Sequence, residues 1–126
     1  MENTPVYHVC QPALLLDAVD NDQAVFLELA EIFRQETFSR YEDIARACRA
    51  GALNDMGFEA HSLKGTVGSV GAQTLVALLQ DIEHAGLRHH RACTEAQLAQ
   101  LQTLLQGARD DMARFVAALG NSTTAS

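Results

Sequence analysis

The chain has 126 residues, 48% of them hydrophobic, and nine Lys and Arg against sixteen Asp and Glu give it a formal charge of −7. That length supports one domain around one modest core and leaves no room for a second. The acidic balance excludes nucleic acid or an anionic membrane as the main partner, since both require a basic footprint, and points instead to a protein.

The first residues, "MENTPVYHVCQP", lack the basic and apolar regions of a signal peptide, and no run of about 18 apolar residues follows anywhere. The expectation is a cytoplasmic protein with no membrane insertion. Cys10, Cys48 and Cys93 form no CxxC and leave one thiol over in any disulfide scheme, which fits a reducing compartment and three small buried thiols. His8 falls in an N-terminus, residues 1–10, that is expected to be flexible.

In chain order, Pro12 favours the first turn of a short helix carrying Leu14, Leu15 and Ala18, which "DND" breaks. Asp22 is an N-cap for a long helix in which Phe26, Leu29, Phe33, Thr37, Tyr41, Ile44 and Cys48 recur at steps of three or four, and Gly51 ends it. Its charged residues, Glu28, Glu31, Arg34, Glu36, Arg40, Glu42, Asp43 and Arg46, read as a solvated face. Asn54 then caps a third helix with Met56, Ala60, Leu63, Val67 and Val70 on one side, stopping at Gly71.

A fourth helix follows at once, with Leu75, Leu78, Leu79 and Ile82 on its apolar side and Gly86 beyond it. Thr94 and Gln97 make a capping box for the last helix, whose stripe of Leu98, Leu101, Leu105, Ala108, Met112, Phe115 and Leu119 runs to Gly120. Its charged run "ARDDMAR" reads as solvated, and residues 121–126 as a flexible tail. No run alternates as a strand does, and short connections force neighbouring helices antiparallel. The expected fold is all-α: an up-down four-helix bundle, core 22–119, with an additional short N-terminal helix.

"AHSLKGTVGSVGA", residues 60–72, breaks the pattern, because each glycine is about 1 kcal/mol worse than Ala inside a helix. At about 100° per residue, Met56, Leu63, Val67 and Val70 lie roughly 120–180° around the helix from His61, which therefore points away from the core. Gly57, Lys64, Gly65 and Gly68 fall within about 60° of it, so the histidine stands on a face with few large side chains, Lys64 adding bulk and charge. Two readings compete: glycines that let helices pack closely beside an ordinary surface histidine, or a surface kept flat so that something large reaches the ring.

The chemistry of the second suits a phosphoryl group. A neutral imidazole is a nucleophile near neutral pH, a nearby ammonium offsets phosphoryl charge, and small neighbours leave room for in-line approach. The sequence has no GxxxxGK[ST], DFG or HRD, so nothing in it takes a phosphoryl group from ATP. The expectation is a carrier that is not a kinase.

"HSLKGTVGSVGA" resembles the signature of histidine-containing phosphotransfer domains, H-x-x-K-G with a further glycine ten residues after the histidine: His61, Lys64, Gly65 and Gly71. The order of helices over residues 22 to 119 also resembles that family, as a terminal module of hybrid sensor kinases or as a free-standing carrier. The resemblance implies that His61 accepts a phosphoryl group through Nε2 from a receiver-domain aspartyl phosphate and passes it to another receiver. It implies that Lys64 assists the phosphoryl group and Gly65 gives the receiver room; the helix geometry above adds Gly57 and Gly68 to the same docking face. Glu83 stands where the family often has Glu or Gln near the imidazole, and would orient the ring by accepting from Nδ1–H. Mg²⁺ would be held by the receiver, with no cofactor or metal bound by this domain, which would be a monomer.

Two alternatives come from other classes: a helical adaptor, which needs no such histidine, and a metal-binding bundle. For the latter, His84, His89, His90 and Cys93 in "HAGLRHHRAC" are close in sequence, but their spacing matches no standard zinc pattern and reads as a solvated link.

Overall fold

A computed structural model describes the backbone of residues 7–125 and the side chains of residues 7–120. The described residues form five helices and no strand: α1 (Ala13–Ala18), α2 (Gln23–Ala50), α3 (Leu53–Gly68), α4 (Gln73–Leu87) and α5 (Glu95–Ala125). Helices α2 to α5 close a ring of neighbours, α2 on α3, α3 on α4, α4 on α5 and α5 back on α2, with α1 laid on α2. This is the expected all-α bundle with its extra short helix.

Local chemistry sets most of the boundaries. Asp22 accepts from the Val25 amide at 3.1 Å, and Gly51 ends α2 in the left-handed region at φ 73°. In the capping box at α5, the Thr94 amide donates to Gln97 Oε1 at 2.9 Å and the Gln97 amide to Thr94 Oγ1 at 3.0 Å. The "DND" break is made by Asp20 and Asn21, both at positive φ, a conformation their short polar side chains tolerate.

Three expected boundaries move. Asn54 does not cap α3: the helix starts at Leu53 behind Ala52, which has no side-chain cap, because Gly51 turns the chain sharply enough to begin the next helix two residues later. Gly86 is not beyond α4 but within it, where α3 lies against its backbone. Gly120 does not stop α5, whose backbone stays helical to Ala125.

The core is mostly aliphatic, filled by Phe26, Ile44, Met56, Leu63, Val67, Leu75, Leu79, Ile82, Leu98, Leu101 and Leu105, all fully buried. Phe26 meets Phe115 edge to face with centroids 5.4 Å apart. Across the surface, Arg40 of α2 bridges Glu36 and Glu59 of α3, each at 2.8 Å, so one member of the charged face ties two helices together.

The largest departure concerns the N-terminal segment and "ARDDMAR". Asp111 is 1% exposed. Its carboxylate accepts the amides of His8, Val9 and Cys10 at 3.2, 2.7 and 3.0 Å and pairs with Arg114. The Gln11 amide then donates to Val70 O at 2.6 Å. Residues 7–11 are therefore a fixed strap that crosses one end of the bundle from α5 to the α3–α4 turn. The buried carboxylate replaces the water that these amides would otherwise need. Residues 1–6, part of the segment expected to be flexible, lie outside the described residues.

Candidate functional site

The site forms where α3 and α4 approach most closely. A Cβ at Gly57 would lie 2.5 Å from Leu87 Cγ and 3.2 Å from the Glu83 carbonyl. One at Gly86 would lie 2.4 Å from the Leu53 carbonyl. Both glycines are buried, and between them they bring two helix backbones into contact. Gly57 therefore does not belong to a docking face. The packing reading holds for it, because α4 occupies the space that its missing side chain leaves.

One turn further along α3, this contact places α4 beside His61. The imidazole side chain is 63% exposed and its Nδ1 lies 3.1 Å from Glu83 Oε2. Glu83 itself is largely covered, at 14%, and its other oxygen, Oε1, sits 2.8 Å from Lys64 Nζ. The Lys64 ammonium is the partner that the structure gives to this buried oxygen. One carboxylate thus serves the ring and the ammonium together. Burial by itself would raise the Glu83 carboxyl, but Lys64 and His61 outweigh it and hold the group below the usual carboxylate range. Glu83 is then ionised at neutral pH, and an ionised carboxylate only accepts, so Nδ1 carries the proton at this contact, and in the neutral tautomer that makes it Nε2 is the nitrogen with a free lone pair.

Gly65 is exposed, and nothing lies within 4 Å of a Cβ built on it. Gly68 is exposed and would meet only Val76, at an ordinary 3.7 Å. These two do leave the surface flat on the C-terminal side of His61. On the N-terminal side the face is not bare: Phe58, one turn before the histidine, is 60% exposed, the highest of the exposed large hydrophobics. Sequence reasoning passed over it, although its angular offset from His61, about 60°, is the same as that of Lys64.

Cys93 is buried against Cys48, and among the described residues no three His, Cys, Asp or Glu converge to hold a metal ion. No helix among them is long and apolar enough to cross a membrane.

No curated protein and no solved structure matches the chain. Residues 28–111, more than half of it and spanning His61, Lys64 and Glu83, match the family model of the Hpt domain. With the all-helical fold built around that segment, this match shows that the chain belongs to the histidine-containing phosphotransfer (Hpt) domain family, the phosphocarriers of phosphorelays.

Proposed function

We propose that His61 is the phosphoacceptor of this Hpt domain and that it shuttles a phosphoryl group between the aspartates of two receiver domains in the cytoplasm. The observation that carries the reading is the pairing of an exposed imidazole with a covered carboxylate at 3.1 Å through Nδ1. In the forward step the Nε2 lone pair attacks the phosphorus of the receiver's aspartyl phosphate, the P–O bond to the acyl oxygen breaks, and its electron pair stays on the receiver carboxylate. The ring, still protonated at Nδ1, becomes an N-phosphoimidazolium whose positive charge faces the Glu83 carboxylate. The reverse sequence delivers the group to the second receiver. Lys64, held at Glu83, keeps a positive charge one turn from the ring for the phosphoryl oxygens.

The chain supplies an acceptor and a docking face. Mg²⁺ belongs to the receiver, and the domain acts as a carrier, not as a kinase. Phe58 on one side of His61 and the open backbone at Gly65 and Gly68 on the other give the receiver an apolar contact and a flat approach. The reacting atoms must come within about 3–3.5 Å, which a protruding side chain beside the ring prevents.

The test is transfer from a phosphorylated receiver in the presence of Mg²⁺. The wild-type chain takes up an acid-labile, alkali-stable label; His61→Gln folds normally and takes up none; Gly65→Gln folds but transfers slowly. Labelled His61→Gln or an acid-stable phosphate overturns the acceptor assignment, and wild-type transfer by Gly65→Gln overturns the docking face.

A further inference from the structure

At the end of the bundle away from the strap, two thiols on different elements meet. Cys48 lies in the last turn of α2 and Cys93 in the link before α5; they are 7% and 6% exposed, and their Sγ atoms are 3.3 Å apart. Cys48 Sγ also donates to the Cys93 carbonyl at 3.2 Å, so the pair is locked face to face by its own backbone. The neighbouring Arg49–Glu95 ion pair, at 2.9 Å, joins the same end of α2 to the first residue of α5. We propose that Cys48 and Cys93 are a redox site that a peroxide converts to a disulfide within the native fold, tying the end of α2 to the start of α5.

In the reaction two S–H bonds and the peroxide O–O bond break, one S–S bond forms, and two waters leave. One thiol is first oxidised to a sulfenic acid with loss of water, and the second thiol displaces the second water from it. Each sulfur gives up one electron and each peroxide oxygen gains one. The sulfur atoms must close from 3.3 Å to about 2.05 Å. The bond would enclose residues 48 to 93, and with them the whole of α3 and α4. Burial and the adjacent Cys48 sulfur push the Cys93 thiol up to about 12, so the reaction is slow at neutral pH and accelerates as pH rises.

Cys10 is a built-in control. It lies in the strap with its Sγ 3.6 Å from the Ala108 carbonyl, 14 residues up α5 from Thr94 and so roughly 20 Å from Cys93. The experiment treats the intact native protein with hydrogen peroxide at pH 8, then alkylates it in denaturant and measures its mass. The expected product is a monomer about 2 Da lighter before alkylation, with one alkylatable thiol at Cys10 and a tryptic cross-link between Ala47–Arg49 and the peptide beginning at Ala92. Its melting temperature exceeds that of the re-reduced sample by roughly 10 °C, and Cys48→Ser shows neither change. Three alkylatable thiols after treatment, bonds through Cys10 or between chains, or sulfinic and sulfonic products without a cross-link overturn the proposal. A cross-linked protein that melts lower overturns the claim that the native fold accommodates the bond.

Discussion

Replacing Gly86 by Ala, set against the same replacement at Gly57 and Gly65, separates the two tasks of the glycines around His61. Helix propensity favours Ala by about 1 kcal/mol at each position. At Gly65 nothing opposes that gain, since a Cβ there meets no atom within 4 Å, and stability rises by up to about 1 kcal/mol. At Gly57 the new carbon meets Leu87 Cγ at 2.5 Å and Cδ2 at 2.9 Å. Leu87 is half-buried in the last turn of α4 and can swing aside, but the Glu83 carbonyl at 3.2 Å cannot, so the gain is cancelled or slightly reversed. At Gly86 the obstacle at 2.4 Å is the Leu53 carbonyl, with the Gly57 amide nitrogen at 3.2 Å behind it. Only separation of the two helices relieves that clash. Overpacking of this kind costs about 1–3 kcal/mol or more, so Gly86→Ala is destabilised by roughly 1–2 kcal/mol net. Urea denaturation followed by circular dichroism at 222 nm reads the order directly: Gly65→Ala above wild type, Gly57→Ala near it, Gly86→Ala below. Separating the helices also draws Glu83 from His61, so Gly86→Ala transfers more slowly than Gly65→Ala. A Gly86→Ala variant at least as stable as wild type, or a destabilised Gly65→Ala, would refute the reasoning.

Three further outcomes follow from the same geometry. Asp111→Ala strands three strap amides and lowers stability by about 2–4 kcal/mol in chemical denaturation. Burial would raise the Asp111 carboxyl, but the Cys10, Val9 and His8 amides and the Arg114 charge hold it below its ordinary value. Its stabilisation is thus complete above the unfolded carboxyl value of about 4 and is lost as pH falls through the folded value; melting curves between pH 2 and 6 should show the wild type, not Asp111→Ala, losing that increment. Glu83→Ala releases the Nδ1 proton and slows transfer about tenfold, equivalent to about 1.4 kcal/mol, with nitrogen NMR reporting a mixed His61 tautomer and Glu83→Gln restoring part of both; an unchanged rate and tautomer would remove Glu83 from the site. Phe58→Ala leaves stability within about 0.5 kcal/mol but weakens receiver binding by roughly five- to tenfold in titration, and undiminished affinity would exclude Phe58 from the docking face.

What the sequence disclosed is what local chemistry decides. Asp22, Gly51, Thr94 and Gln97 act on backbone groups within a few residues, so their roles at the helix ends are readable without knowing the fold. His61 is legible for a similar reason, since the angle between it and the apolar stripe of α3 depends only on helix geometry. Gly57 and Gly65 expose the limit of that logic. They lie about 40° to either side of His61, yet one is buried under α4 and the other open to solvent; the difference comes from where the neighbouring helix crosses, which no count along one helix contains. Asp111 is the same limit in charge. Its partners are backbone amides about a hundred residues upstream, and the one available signal was its place between Ala108 and Met112 on the apolar stripe. The Cys48–Cys93 contact likewise depends on how the link after α4 folds back on α2.

The contact at Gly57 and Gly86 also bears on how a carrier can serve two partners. Helices separated by long side chains can slide as rotamers exchange, whereas helices touching through backbone have no such soft coordinate between them. The imidazole on α3 and the carboxylate on α4 therefore ride on one stiff body. Parting them requires a collective displacement on the microsecond-to-millisecond scale, slower than the hop of an exposed side chain. For the proposed role of His61 this means an acceptor that stands ready before any receiver arrives and is equally ready after the group has been handed on. In the proposed relay no assembly step would then separate donor from acceptor chemistry, and the direction of flow would be set by the relative phosphorylation of the two receivers and the speed by how often each one meets the exposed face.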